Sequence, residues 1–112
     1  MEEAVIRQIA VQQLADMLAK GESVHLLDVR QLWEHETAAL KNSQLIPLDQ
    51  LSPRVAEVQP PDGALVVVYC HHGIRSQFGA AILERLGIAN VASLAGGIDA
   101  WSIFIDPGVP RY

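Results

Sequence analysis

Leu65-Val66-Val67-Val68-Tyr69-Cys70-His71-His72-Gly73-Ile74-Arg75-Ser76 is the stretch that decides how this chain folds. Five apolar residues, mostly β-branched, run without a polar break into a cysteine. A run of this kind and length reads as a strand buried on both faces of a parallel sheet. A short polar loop follows. From Ser76 the pattern becomes helical, with Phe78, Ala81, Ile82 and Leu86 along one stripe of a helix over 76–86 that stops at Gly87.

The same alternation continues on either side. Residues 24–29, Val24-His25-Leu26-Leu27-Asp28-Val29, form a second short apolar run that reads as a buried strand. Residues 90–94 read as a weaker strand and 6–9 as an edge strand. Residues 11–19 place Leu14, Met17 and Leu18 on one helical face and end at Gly21. Ser52-Pro53 predicts a capped helix over 51–58, with Pro at its first position. A last helix is expected over 98–104, and the Pro- and Gly-containing tail 106–112 is expected to be an irregular strap. Alternating strands and helices place the chain in the α/β class with a mainly parallel sheet.

The 112 residues suit a single domain spanning 1–112. Half of them are hydrophobic and 19% are charged, an ordinary globular composition. The formal net charge of −5 argues against nucleic acid as a partner. The Met1-Glu2-Glu3 start lacks the basic residues and apolar run of a secretion signal, and no apolar run is long enough to span a bilayer. A single cysteine forms no internal disulfide and fits a reducing compartment. The expectation is a cytoplasmic protein that binds no membrane, as a monomer or a homodimer.

In open parallel sheets ligands bind beyond the carboxyl ends of the strands, where Cys70 lies. A turn between a strand and a helix points main-chain N–H groups inward, and the helix N-terminus adds partial positive charge. Gly73 permits the tight turn. Arg75 offers a planar fork of donors suited to an oxyanion, and His71 and His72 add positive character when protonated. This setting favours a thiolate, so Cys70 is expected to be a nucleophile and not a buried spectator. The loop residues His71, His72, Gly73, Ile74, Arg75 and Ser76 are expected to bind the substrate. A zinc site from Cys70, His71 and His72 is not expected, because adjacent residues rarely share one tetrahedral ion and no spaced partner motif exists. His25 and His35 read as isolated packed or solvent-facing side chains.

Three motifs in order resemble the single-domain rhodanese family, a likeness running from about Val24 to Trp101. They are Leu27-Asp28-Val29-Arg30 followed by Glu34, the loop of Cys70, Gly73, Arg75 and Ser76, and Leu94-x-Gly96-Gly97 followed by Trp101. The chain departs from the family pattern at 38–43, where Ala38-Ala39-Leu40-Lys41-Asn42-Ser43 replaces a stretch rich in glycine. Asn42 is suited to a left-handed conformation there.

The resemblance implies a rhodanese-like three-layer α/β fold, a mainly parallel sheet of roughly five strands with helices on both faces. It also implies a thiosulfate sulfurtransferase activity in which Cys70 carries sulfur as a persulfide, with no cofactor and no metal. The implied partners are a small anionic sulfur donor and a cyanide, thiol or protein acceptor. Asp28, Arg30 and Glu34 are expected to be structural, as buried ion pairs bracing the loop, and Trp101 to be core. The alternatives are a persulfide relay between proteins, a phosphatase or arsenate reductase, and a non-catalytic binding module. The phosphatase-type relatives use a loop one residue longer than the one between Cys70 and Arg75.

Overall fold

The structure, a computed structural model, describes residues 5–112. The Met1-Glu2-Glu3 start lies outside the described residues. Five strands, β1 (Gln8–Ile9), β2 (Val24–Asp28), β3 (Gln44–Leu45), β4 (Leu65–Tyr69) and β5 (Val91–Leu94), form one sheet in the order β1-β5-β4-β2-β3, and every pairing is parallel. The helices are α1 (Val11–Ala19), α2 (Leu32–Thr37), α3 (Leu48–Leu51), α4 (Arg75–Arg85) and α5 (Gly97–Phe104). No helix of the described residues is long and apolar enough to cross a membrane.

The period-2 geometry of the central strands splits the core in two. Leu65, Val67 and Tyr69 of β4 face Leu14 of α1 and Ile98 of α5. Val66 and Val68 face Leu51 of α3 and Ala80 and Leu83 of α4. Because both faces are covered, the strand needs apolar residues at every position, and that is the run the sequence shows.

Two expectations fail. The helix over 51–58 does not form. Instead α3 starts earlier, behind Pro47, and ends at Leu51, and a single 3-10 turn covers Val55–Glu57. Pro53 cannot extend a helix that is already running, so Ser52-Pro53 is a stop and not a start. Helix α4 forms where expected, but its buried face is Ser76, Gly79, Ala80 and Leu83, while Phe78 is 63% exposed. Gly79 explains the rotation. A Cβ there would lie 3.1 Å from Val68 Cγ1 and 3.3 Å from Val29 Cγ1, so the helix packs closely on the sheet through Gly79 and Ala80, with Leu83 beside them, and turns Phe78 out.

Strand β3 and helix α2 lie in stretches where the sequence reading placed no element. The unusual segment 38–43 is nevertheless well tied down. Asn42 takes φ 63°, the left-handed conformation suited to it. The Leu40 N–H donates to Tyr69 Oη at 3.1 Å, and Ser43 Oγ lies 2.7 Å from the same oxygen. Burial pushes the Tyr69 phenol up to about 12, so it stays protonated and serves this turn as a neutral partner.

Candidate active site

Strand order sets the place of the site. From β2 the chain moves outward to β3, then returns to the other side of β2 as β4. The carboxyl ends of β2 and β4 therefore flank the point where the winding reverses, which is where open α/β sheets form crevices. The loops that leave these two strands carry the first two of the three motifs, and they meet through the ion pair of Glu34 with Arg75.

Cys70 follows β4 directly and is 1% exposed. Its sulfur accepts the Gly73 N–H at 3.2 Å and the Ser76 N–H at 3.3 Å. The Ser76 hydroxyl lies 3.5 Å away and is itself 2.7 Å from Ser93 Oγ on β5. Ser76 belongs to the first turn of α4, so the helix N-terminus points its free N–H at the sulfur. Gly73 has φ 99°, and a Cβ there would stand 3.0 Å from the Gly96 nitrogen. Gly97 is tighter still: with φ 61°, its Cβ would meet the carbonyl oxygens of Cys70 and His71 at 2.5 Å. The absence of a side chain at Gly97 lets α5 approach the loop, and the N–H groups of Ile98 and Asp99 donate to the Cys70 and His71 carbonyls at 2.9 and 3.1 Å.

The second layer of the site is a chain of charges. Arg30 is fully buried and donates through Nε and Nη2 to Asp28 at 2.8 and 2.7 Å, through Nη2 to the Ala38 carbonyl and through Nη1 to Tyr112 Oη at 2.8 Å. Arg75 grips Glu34 with both Nη atoms, at 2.6 and 2.8 Å. Tyr112 joins the two pairs: its hydroxyl accepts from Arg30 and donates to Glu34 Oε2 at 2.7 Å. Arg30 pairs with Asp28, while Glu34 pairs with Arg75 and not with Arg30. The Arg75 fork, expected on a donor anion, is instead occupied by Glu34.

His71 behaves unlike the expected positive group. The His71 ring is stacked between His72 and Tyr112, each at 3.9 Å between centroids. Burial, with His72 adding to it, pushes the His71 imidazole down, which favours the neutral form. His72 points outward, 3.7 Å from Asp99. Ile74 is exposed. His35, read as isolated, places Nδ1 2.8 Å from Asp28 Oδ2, and His25 bonds Gln44. Sequence reasoning missed Tyr112 altogether. Nothing local marks a terminal tyrosine 82 positions from Arg30.

The Arg75 guanidinium, with Tyr112 and the Gln31 N–H, holds Glu34 down to about 2 against the pull of burial. A carboxylate held low contributes stability that is complete above its unfolded value of 4.5 and is lost as pH falls toward 2. Wild type should therefore exceed Glu34→Gln in urea unfolding near neutral pH, and the gap should close between about pH 4.5 and 2. Parallel curves across that range would show that Glu34 is not held by these bonds.

A Rhodanese-like domain is matched over residues 10–103. The chain is 32% identical over 98 residues to a protein named sulfurtransferase from Allochromatium vinosum, covering 88% of this chain and 90% of that one. It is 30% identical over 104 residues to the probable adenylyltransferase/sulfurtransferase MoeZ of Mycobacterium tuberculosis; the match covers 93% of this chain but only 26% of MoeZ. A rhodanese-like domain protein from Staphylococcus aureus superposes with a TM-score of 0.80 at 25% identity, over 96% of this chain and 99% of that one. With the sheet order, the cysteine loop and these matches together, the chain belongs to the rhodanese-like domain family.

Proposed function

We propose that this protein is a sulfurtransferase that carries sulfane sulfur on Cys70. The observation behind the reading is the pair of main-chain N–H groups, from Gly73 and Ser76, donating to the Cys70 sulfur at the start of α4. Such donors favour negative charge on whatever sulfur occupies the loop. The thiolate attacks the outer sulfur of thiosulfate, the S–S bond of the donor breaks, and sulfite leaves with the electron pair. Cys70 then holds a persulfide. Cyanide attacks its terminal sulfur, thiocyanate leaves, and the thiolate returns.

Exposure of the chain to thiosulfate without an acceptor should add one sulfur atom to the intact mass, and cyanide should remove it. Cys70 is the sole cysteine, so the site is unambiguous. A folded protein whose mass no sulfane donor changes would end this reading.

Exposed apolar side chains favour a protein as the physiological acceptor. Ile74 and Phe78 are exposed beside the loop, and with Ile6, Gln77 and Ala81 they line a shallow apolar depression.

Because its fork is on Glu34, Arg75 acts here as a brace. Arg75→Ala should slow transfer from thiosulfate and from a thiol persulfide alike, by about 1.5–3 kcal/mol of transition-state stabilisation for a lost charge-assisted contact. A loss confined to thiosulfate in kcat/KM comparisons would place the guanidinium on the donor instead.

A further inference from the structure

We infer that His71, His72 and Asp99 form a binding site for a divalent transition metal, with zinc the ion best suited to two imidazoles and a carboxylate. One ligand atom from each residue falls in a group whose members all lie within 4.8 Å of one another. Two of the three residues are set by the backbone, since the Asp99 N–H donates to the His71 carbonyl at 3.1 Å. The third, His72, is exposed, with 61% of its side chain accessible, and rests on the face of His71.

The local chemistry suits a cation. His71 Nε2 is buried and has no hydrogen-bond partner, alone in this among the buried side-chain nitrogen and oxygen atoms of the described residues. Unpaired buried polar atoms of this kind call for a missing partner. Asp99 is held as a carboxylate by its bond to Arg111, whose Nε donates to Oδ1 at 2.9 Å. The contact of Arg111 with Oδ2 is longer, 3.4 Å, and Oδ2 is also the oxygen nearest His72. A metal taking Oδ2 would leave the Arg111 bond to Oδ1 in place as its outer support.

Zinc with bonds near 2.0–2.1 Å places tetrahedral donors about 3.3 Å apart, so the present spread of up to 4.8 Å closes by about 1.5 Å or less as His72 leaves its stack on His71. Three protein ligands leave one position open to water, the pattern of an open zinc site. Sequence spacing hides this set because Asp99 comes from α5, whereas the adjacent histidines alone make no tetrahedral site. Cys70 stays outside the set, with its sulfur already met by two N–H donors.

The test uses the Cys70→Ala variant of this chain, which removes the thiolate as a rival ligand and makes the result independent of sulfur transfer. Isothermal titration with zinc near neutral pH should show one equivalent bound. Adding His72→Ala or Asp99→Asn should weaken binding at least about tenfold, while His25→Ala should leave it unchanged. Cobalt added to the unsubstituted chain should give visible d–d absorption without the intense near-ultraviolet band of a cobalt thiolate. Circular dichroism of each variant confirms the fold. Absence of zinc binding to Cys70→Ala overturns the assignment, and so does binding that survives both His72→Ala and Asp99→Asn.

Discussion

Cys70→Ala should reduce thiosulfate:cyanide sulfur transfer to the rate of the enzyme-free mixture, and Cys70→Ser should do the same. Alanine removes the only atom that the proposed reaction loads. Serine tests a subtler point. Its hydroxyl has nearly the size of the thiol and keeps the Gly73 and Ser76 N–H donors occupied, so the loop should survive. A hydroxyl becomes nucleophilic when a neighbouring base takes its proton. The groups bonded to the Cys70 sulfur are two N–H groups and the Ser76 hydroxyl, and none of these is a base. His71, the nearest imidazole in sequence, is stacked on Tyr112. Serine therefore keeps the cradle and loses the chemistry. Steady-state rates on both variants, with circular dichroism to confirm folding, decide the matter. An alanine variant that kept most of the wild-type rate would remove Cys70 from the reaction.

Much of this fold was legible because the central strands are buried, which forces an uninterrupted apolar run at Leu65–Tyr69 and an apolar centre, Leu26-Leu27, in Val24–Asp28. Glycine stops at 21 and 87 also served well, each with the positive φ that follows a helix end. Two of the errors share a cause. Helix α2 was invisible because its polarity is inverted: Leu32 and Trp33 are exposed, Trp33 at 60%, while Glu34 is buried. Its buried face exists to hold a charge for Arg75, and a hydrophobic period cannot show that. The face of α4 was misread for a related reason, since close packing at Gly79 selects small residues and hydrophobicity counts large ones.

The candidate site divides along the same line. Local signals exposed the cysteine loop, where strand, glycine and helix start lie within a few residues of one another. Partners of its charged groups were harder to read. Arg75 was identified as a cation, yet its effect depends on Glu34, which arrives from another loop. Tyr112 links Glu34 to Arg30 from the far end of the chain. Neither pairing has a sequence period to announce it.

Asp28→Ala should lower the unfolding free energy by about 3–5 kcal/mol, the loss expected when one partner of a buried ion pair is removed. Against a total of about 5–15 kcal/mol for a domain of this kind, that is the largest stability effect expected from a single side chain here. Asp28 and Arg30 are both fully buried, and Asp28 accepts the Arg30 N–H and two guanidinium bonds and faces His35 as well. Burial works against the guanidinium charge, but its bonds to Asp28 and Tyr112 outweigh burial, so Arg30 stays charged. Without Asp28 that charge keeps only the neutral oxygens of Ala38, Glu34 and Tyr112 as partners. Removing the guanidinium too should recover part of the loss. Asp28→Ala combined with Arg30→Met should be more stable than Asp28→Ala alone, because the uncompensated charge is gone even though the Ala38 carbonyl loses its donor. Urea midpoints at constant slope measure both variants. A loss below about 1 kcal/mol for Asp28→Ala, the size typical of an exposed pair, would show that solvent reaches Arg30 and that this pair does not anchor the loop.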